Sequence, residues 1–417
     1  MAKTIEKQRA GNRQQPASGR SSVIGSFLRN PVRSFIAAFD SYFLHQSKLF
    51  YKLFMLIGFF VIFGVVMVLS ASNVQSIIDN GDPFADFKSQ AGLAVVGFIL
   101  MIFISRIRVE NFERLGNLFF LGTVFLQLLV LVPGIGRTVG GNTNWISLFG
   151  IVIQPSEFLK LGLVFGLANV AMRYRDSWNQ ALIGPLVMIL VGGGTALVIY
   201  ATGNDLGTAL VIGAVIMVLS FLSGMKLRYW FGIILVAGLL LLPTFMTNGN
   251  RLARIFSFVG QGAGGDSGLG WQVEHGIWAL ASGGFWGTGL GQAKLNWGWI
   301  PEVENDFIFA VIGEEGGLLG AMVVVIAFFL LARYINKVGS GSRNEFTSIA
   351  STTIMLLILI QALINIAVVL NLFPVIGVPL PLISKGGSSL LATLLALGVV
   401  LAIERDKSMP EFGRSRR

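Results

Sequence analysis

Ten stretches of the chain are apolar and nearly free of charge: residues 53–72, 91–107, 117–133, 157–173, 182–200, 206–223, 229–246, 307–333, 347–372 and 388–403. A helix of roughly 20 apolar residues spans the hydrocarbon core of a bilayer. The pattern therefore predicts an all-α, polytopic membrane protein with about ten transmembrane helices. The polar stretches between the runs are short, with one exception. Residues 247–306 form a long segment with Gly, Trp and both signs of charge, and a loop this long in a compact protein is usually functional. Within it, Trp271–Ser282 places Val273, Ile277, Leu280 and Ala281 at helical spacing and reads as an interfacial helix. A second segment, 134–156, contains the apolar stretch Trp145–Ile153, a candidate re-entrant piece.

Composition agrees with this reading. Of the 417 residues, 54% are hydrophobic and 12% charged, about half the charged share of a soluble domain. No cysteine is present, which excludes disulfides and thiolate chemistry, and the two histidines, His45 and His275, lie far apart in the chain. The net charge of +10 does not point to nucleic acid, because basic residues flank membrane spans on the cytoplasmic side. With residue 1 inside, the predicted cytoplasmic segments hold 24 Lys and Arg and the external ones six: Lys88, Arg137, Arg251, Arg254, Lys294 and Lys385. The expected topology is thus N-in and C-in, with 247–306 outside between spans seven and eight. Residues 1–50 read as a basic, largely disordered tail with an amphipathic stretch near Phe35–Phe50, 51–405 as the membrane domain, and 406–417 as a short cytoplasmic tail.

Ionisable groups at or inside spans are costly, so each is a functional candidate. Asp306, in Pro301-Glu302-Val303-Glu304-Asn305-Asp306, sits where the external loop becomes a span. At 100° per residue Gly313, Gly317 and Gly320 fall within about 40° of its face, a small-residue stripe that would admit a neighbouring helix. The aspartate is either a reactive carboxylate at the mouth of a groove or a helix N-cap. Asp205 heads another span and carries the same two readings. Glu157 and Lys160 stand three residues apart, at a spacing that permits an ion pair. Together with Glu314 and Glu315, deeper in the eighth span, they read as a structural polar network. Ser384-Lys385-Gly386-Gly387-Ser388 opens the last span. Backbone N–H groups at a glycine-rich helix start suit a phosphate, and Lys385, Arg251 and Arg254 would add charge. Gln272 and Glu302, in the external loop, complete the candidate substrate contacts.

These segments resemble, in order, motifs of the SEDS family (shape, elongation, division, sporulation), which includes FtsW and RodA. The motifs are Met67–Ser72, Gln154–Lys160, Asp205–Ala209, Ala281–Gly284 with Gly287–Gly291, the Asp306 cluster, and Leu380–Ser389. The resemblance covers residues 50 to 405. Three places depart from the family pattern: Asn142-Thr143-Asn144-Trp145, Asn204 before Asp205, and Lys385 where tyrosine is frequent. The stretch Val378–Leu382 and the long basic tail are more like FtsW than RodA.

The resemblance implies a glycosyltransferase that polymerises lipid II, the undecaprenyl-pyrophosphate disaccharide-pentapeptide, at the outer face of a bacterial plasma membrane, at the division septum. It matches the family's essential aspartate to Asp306. It also implies a class B penicillin-binding protein and other divisome proteins as partners, with a divalent cation, Mg2+ or Mn2+, as a candidate aid. Two rival classes stand beside it. One is a lipid II flippase, with Lys160, Glu314 and Asn365 lining a path; the other is a non-catalytic divisome scaffold.

Overall fold

The computed structural model describes residues 46–139, 142–148, 151–174, 183–246, 258, 269–297, 302–342 and 344–408. All but Gln46–Lys48 belong to one compact unit, Leu49–Arg417. Most of the basic tail and the stretch 247–257 fall outside the described residues.

Each of the ten apolar stretches lies on a helix. In chain order these are α1 (Lys48–Asn80), α2 (Ala85–Ser105), α3 (Val109–Leu128), α4 (Pro155–Arg173), α5 (Ile183–Gly203), α6 (Leu206–Leu222) and α7 (Leu227–Met246). After α8 (Leu269–Gly283), which is the helix expected in the external loop, come α9 (Ile308–Ser340), α10 (Glu345–Val369) and α11 (Gly387–Ser408). Seven of them are long and apolar enough to cross a membrane by length and composition alone, and α6 and α7 carry shorter apolar stretches. The remaining one, α4, carries Glu157, Lys160 and Arg173. It is nonetheless the centre of the bundle: Leu159, Leu163, Val164, Leu167 and Ala168 are fully buried. Phe165 on α4 stacks on Phe112 of α3 and Phe346 of α10, with ring centroids 5.7 and 6.3 Å apart. Outward positions of α2, α3, α7 and α9 are apolar and exposed, such as Phe103, Phe125, Leu235 and Phe329. In a membrane protein such positions face lipid.

The stretch Trp145–Ile153 does not form a membrane re-entry. It belongs to a three-stranded antiparallel sheet of β1 (Gly136–Val139), β2 (Asn142–Leu148) and β3 (Ile151–Ile153), in the order β1-β2-β3. Arg137 pairs with Trp145 and Ile146 with Ile153. Three short strands satisfy one another's backbone groups, which a lone extended segment in lipid could not do. The sheet docks on the α5–α6 connection, where Asn204 donates to Asn142 at 3.3 Å.

Separate clusters of polar contacts tie together the segments at each end of the bundle. At one end Arg405 donates to the carbonyls of Ser105 and Ile107, Asp406 accepts from the Val109 amide, and Lys407 reaches the Lys337 carbonyl. These join three segments expected to be cytoplasmic. At the other end Asp86, Gln154, Glu304 and residues 384–388 converge. The absence of native cysteine makes the orientation directly testable. Cysteine in place of exposed Trp278 is expected to react with a membrane-impermeant maleimide in intact spheroplasts, and cysteine in place of Ser342 only after permeabilisation. The reverse pattern would overturn the orientation.

Candidate active site

Asp306 is half-buried and stands two residues before α9, whose N-cap position belongs to Phe307. The aspartate is therefore outside the helix, on a turn made by residues 302–306. Glu302 initiates that turn at φ 53° and accepts from the Asn305 side chain at 3.1 Å. Three successive carbonyls of the turn are then gripped. The Lys385 amide donates to Glu304 O at 3.0 Å, the Ser384 hydroxyl to Asn305 O at 2.6 Å, and the Asn365 amide to Asp306 O at 2.9 Å. Asn365 also donates to Val378 O at 2.8 Å. That ties the turn to the Pro-rich stretch 374–381, and a Cβ at Gly377 would lie 3.5 Å from an Asp306 carboxylate oxygen. The effect is a carboxylate held at the outer mouth of the bundle by a frame that grips the turn through its backbone carbonyls.

The stripe of glycines expected on the face of Asp306 is arranged differently. At Gly317 the backbone leaves helical geometry (φ 62°, ψ −164°), so a constant 100° per residue fails there. The break is filled from outside. Gly287 and its neighbours, the loop after α8, insert beside it: Thr288 N donates to Glu314 O at 2.9 Å and Gly289 N to Glu315 O at 3.0 Å. In return Leu318 N donates to Gly284 O at 2.9 Å and Leu319 N to Phe285 O at 3.3 Å. The loop thus replaces the bonds that the broken helix cannot make, as irregular backbone at membrane depth requires. Gly313 and Gly283 let α8 lie against the start of α9, backbone to backbone.

Glu157, Lys160, Glu314 and Glu315 each make polar contacts inside the bundle. Glu314 accepts from the Lys294 amide at 3.0 Å and the Ser282 hydroxyl at 3.2 Å. Glu315 accepts from Ser70 at 2.5 Å and Asn296 at 3.3 Å. Glu157 and Lys160 form a buried ion pair at 2.9 Å, and Lys160 also donates to Gln361 at 2.8 Å. The cleft beside them holds about 30 Å³, room for a water or two and not for a sugar. Lys160, Glu314 and Asn365, taken as lining a transport path, are thus engaged in holding helices and loops together. Replacing Lys160 with Met strands a carboxylate and is expected to cost about 3–5 kcal/mol. The pair Glu157→Leu/Lys160→Met is expected to recover most of it, as read by thermal unfolding in detergent.

Asp205 is the N-cap of α6, accepting from the Thr208 amide at 2.9 Å and its hydroxyl at 2.7 Å. At the start of α11 part of the expected phosphate cradle is already engaged. The Lys385 and Gly386 amides donate to Glu304 O and to the Gln90 side chain, and the Ser388 hydroxyl accepts from Gln154 N. Gly387 packs against Leu93. Lys385 is likewise not an open cation: its ammonium lies 2.9 Å from Asp86 and 3.2 Å from Glu304. Burial alone would lower its pKa; the two carboxylates outweigh that and hold it above the usual value, so it stays charged. Sequence spacing could not reveal these partners, which come from 81 and 299 residues away. Gln272 is half-buried on α8, Glu302 is exposed, and Arg251 and Arg254 lie outside the described residues. Among the described residues no three His, Asp or Glu side chains converge to hold a metal ion.

The fold and site define a polytopic helical membrane protein with a framed carboxylate at its outer face. The profile of the FtsW/RodA/SpoVE family, described as "Cell cycle protein", matches residues 50–409. The chain belongs to that family. A protein of Geobacter sp. (strain M18) named "Probable peptidoglycan glycosyltransferase FtsW" is 36% identical over 82% of this chain and 92% of its own length. "Stage V sporulation protein E" of Bacillus subtilis is 32% identical over 82% of this chain and 93% of its own. Among solved structures, a chain of a peptidoglycan synthase complex superposes with a TM-score of 0.70 at 24% identity, covering 86% of this chain and 98% of that one. The rod shape determining protein RodA of Thermus thermophilus does so at 0.61 and 22%, covering 88% and 100%. These two likenesses speak to the fold.

Proposed function

We propose that the protein is a peptidoglycan glycosyltransferase that polymerises lipid II into β-1,4 glycan strands, with Asp306 as general base. The observation that carries this reading is the turn 302–306. Its backbone is fixed by Ser384, Lys385 and Asn365, and it presents a half-buried carboxylate at the face where lipid-linked sugars are used. The relatives' names supply the reaction class.

Asp306 takes the proton from the C4 hydroxyl of the acceptor N-acetylglucosamine. That oxygen attacks C1 of the donor muramyl sugar, and undecaprenyl pyrophosphate leaves with inversion. A positioned base contributes about 10²–10⁴-fold. Charge develops on the pyrophosphate and needs cations, a role we give to Arg251 and Arg254. Among the described residues no three His, Asp or Glu side chains converge on a metal, so a divalent cation, Mg2+ or Mn2+, would be held chiefly by the substrate pyrophosphate. The partners proposed are a class B penicillin-binding protein and other divisome proteins, and the place of action is the division septum.

The test is polymerisation of purified lipid II, read on a gel, by the protein with and without its transpeptidase. Glycan strands are expected. Translocation of labelled lipid II across vesicles without polymer would establish the transporter reading instead.

A further inference from the structure

We propose that Lys385 is a positioning residue for Asp306, its ammonium locking Glu304 and Asp86 so that the turn carrying the aspartate is fixed to the heads of α2 and α11. The proposal rests on the assignment of Asp306 as the base.

Glu304 sits two residues before Asp306 and is only 3% exposed. A carboxylate this desolvated needs a positive partner. Lys385 grips it at both ends. Its ammonium lies 3.2 Å from the Glu304 carboxylate, and its backbone amide donates to the Glu304 carbonyl at 3.0 Å. The second Glu304 oxygen is buried with no hydrogen-bond partner among the described residues, so Lys385 is what balances that side chain. Asp86, in the first turn of α2, completes the cluster at 2.9 Å.

One lysine thus joins three segments: the head of α2, the base-bearing turn and the approach to α11. Lys385 flanks Ser384, which holds the next carbonyl of the turn. The cluster carries one positive and two negative charges. Its lysine is committed within the protein and is not offered to the pyrophosphate of a substrate. Loss of the lock moves the turn, and a displacement of about 1 Å at a reacting group costs about a hundredfold in rate.

The experiment compares lipid II polymerisation by the full chain with its transpeptidase, separating kcat from KM. Lys385→Met is expected to lower kcat about 10- to 100-fold with KM within about threefold. Lys385→Arg is expected to retain kcat within about threefold, and Lys385→Met/Glu304→Gln to be no worse than Lys385→Met, because both changes break one interaction. Lys88→Met, in the exposed Lys88–Asp82 pair, serves as the unaffected control. A raised KM with unchanged kcat, additive losses in the double variant, or Lys385→Arg as impaired as Lys385→Met would each overturn the proposal.

Should Lys385→Met not accumulate as folded protein, Asp86→Asn keeps the Glu304 pair. It is expected to show the same split at about 3- to 10-fold; an unchanged kcat overturns the lock. Asp306→Asn is run in parallel. Wild-type rates from Lys385→Met beside an inactive Asp306→Asn defeat the positioning role alone, whereas an active Asp306→Asn defeats the base.

Discussion

Replacing Asp306 with asparagine is expected to lower lipid II polymerisation by at least about a hundredfold while leaving the protein folded. The substitution keeps the size of the side chain while removing its charge and its capacity to take a proton. The frame around it is built from backbone: Glu304, Asn305 and Asp306 are held through their carbonyl oxygens by Lys385, Ser384 and Asn365. Those bonds run through backbone carbonyls, which the substitution leaves in place, so thermal unfolding in detergent is expected to shift by no more than a few degrees. A gel assay with lipid II reads the first quantity and the melting curve the second. Near-normal glycan synthesis by Asp306→Asn would remove the general-base role.

Gly317→Ala is expected to cost the fold much of its stability. Its φ of 62° and ψ of −164° lie in a region open essentially to glycine, which alone costs another residue about 1–3 kcal/mol. The new Cβ would also press on backbone, with Phe285 O only 2.6 Å away. That carbonyl cannot retreat without giving up the bond it accepts from Leu319 N across the break in α9, nor the Gly287 amide without giving up its bond to Gly283 O. The combined cost is expected to be about 3–5 kcal/mol, seen as a lower melting temperature and a reduced yield of folded protein in the membrane. Gly193→Ala, on α5 with nothing within 4 Å of its added methyl, is the matched control and is expected to change little. Because the bridging loop follows α8, Gly317→Ala should also loosen α8 against α9, giving faster hydrogen exchange at residues 284–291. An alanine variant as stable as wild type would show that the break in α9 is not a fixed part of the structure.

Much of the architecture was legible because the bilayer imposes a one-dimensional rule. A run of about 20 apolar residues has to become a helix, since lipid offers no partner for its backbone. All ten runs obeyed it, including α4, whose Glu157 and Lys160 neutralise each other at 2.9 Å inside the span. The ion pair was legible as well, being three residues apart on one helix. The pattern misled where an apolar stretch was too short to cross. Trp145–Ile153 satisfies its backbone by pairing with β1 and with itself, and hydropathy does not distinguish that from dipping into lipid.

At the site, Asp306 stood out from its place at the boundary between loop and span, and Asp205 as a cap from its place before α6. Lys385 was read by its local glycine-rich context as an open cation. Its actual environment is set by Asp86 and Glu304, brought from distant parts of the chain. Asn365 drew notice only as a polar residue in an apolar span, and its function as the bridge between Asp306 and Val378 depends on where two loops come to rest.

The sequence by itself determined the membrane class and the ten helices, and set the expectation for the orientation and for Asp306. Each follows from local composition or from charge counted along the chain, quantities that folding does not alter. Only the tertiary structure decided which charges are spoken for, where α9 breaks and what repairs it, and how the turn at Asp306 is held. Those outcomes depend on pairings between residues far apart in the chain, and desolvation makes every unpaired group among them costly enough to fix the arrangement.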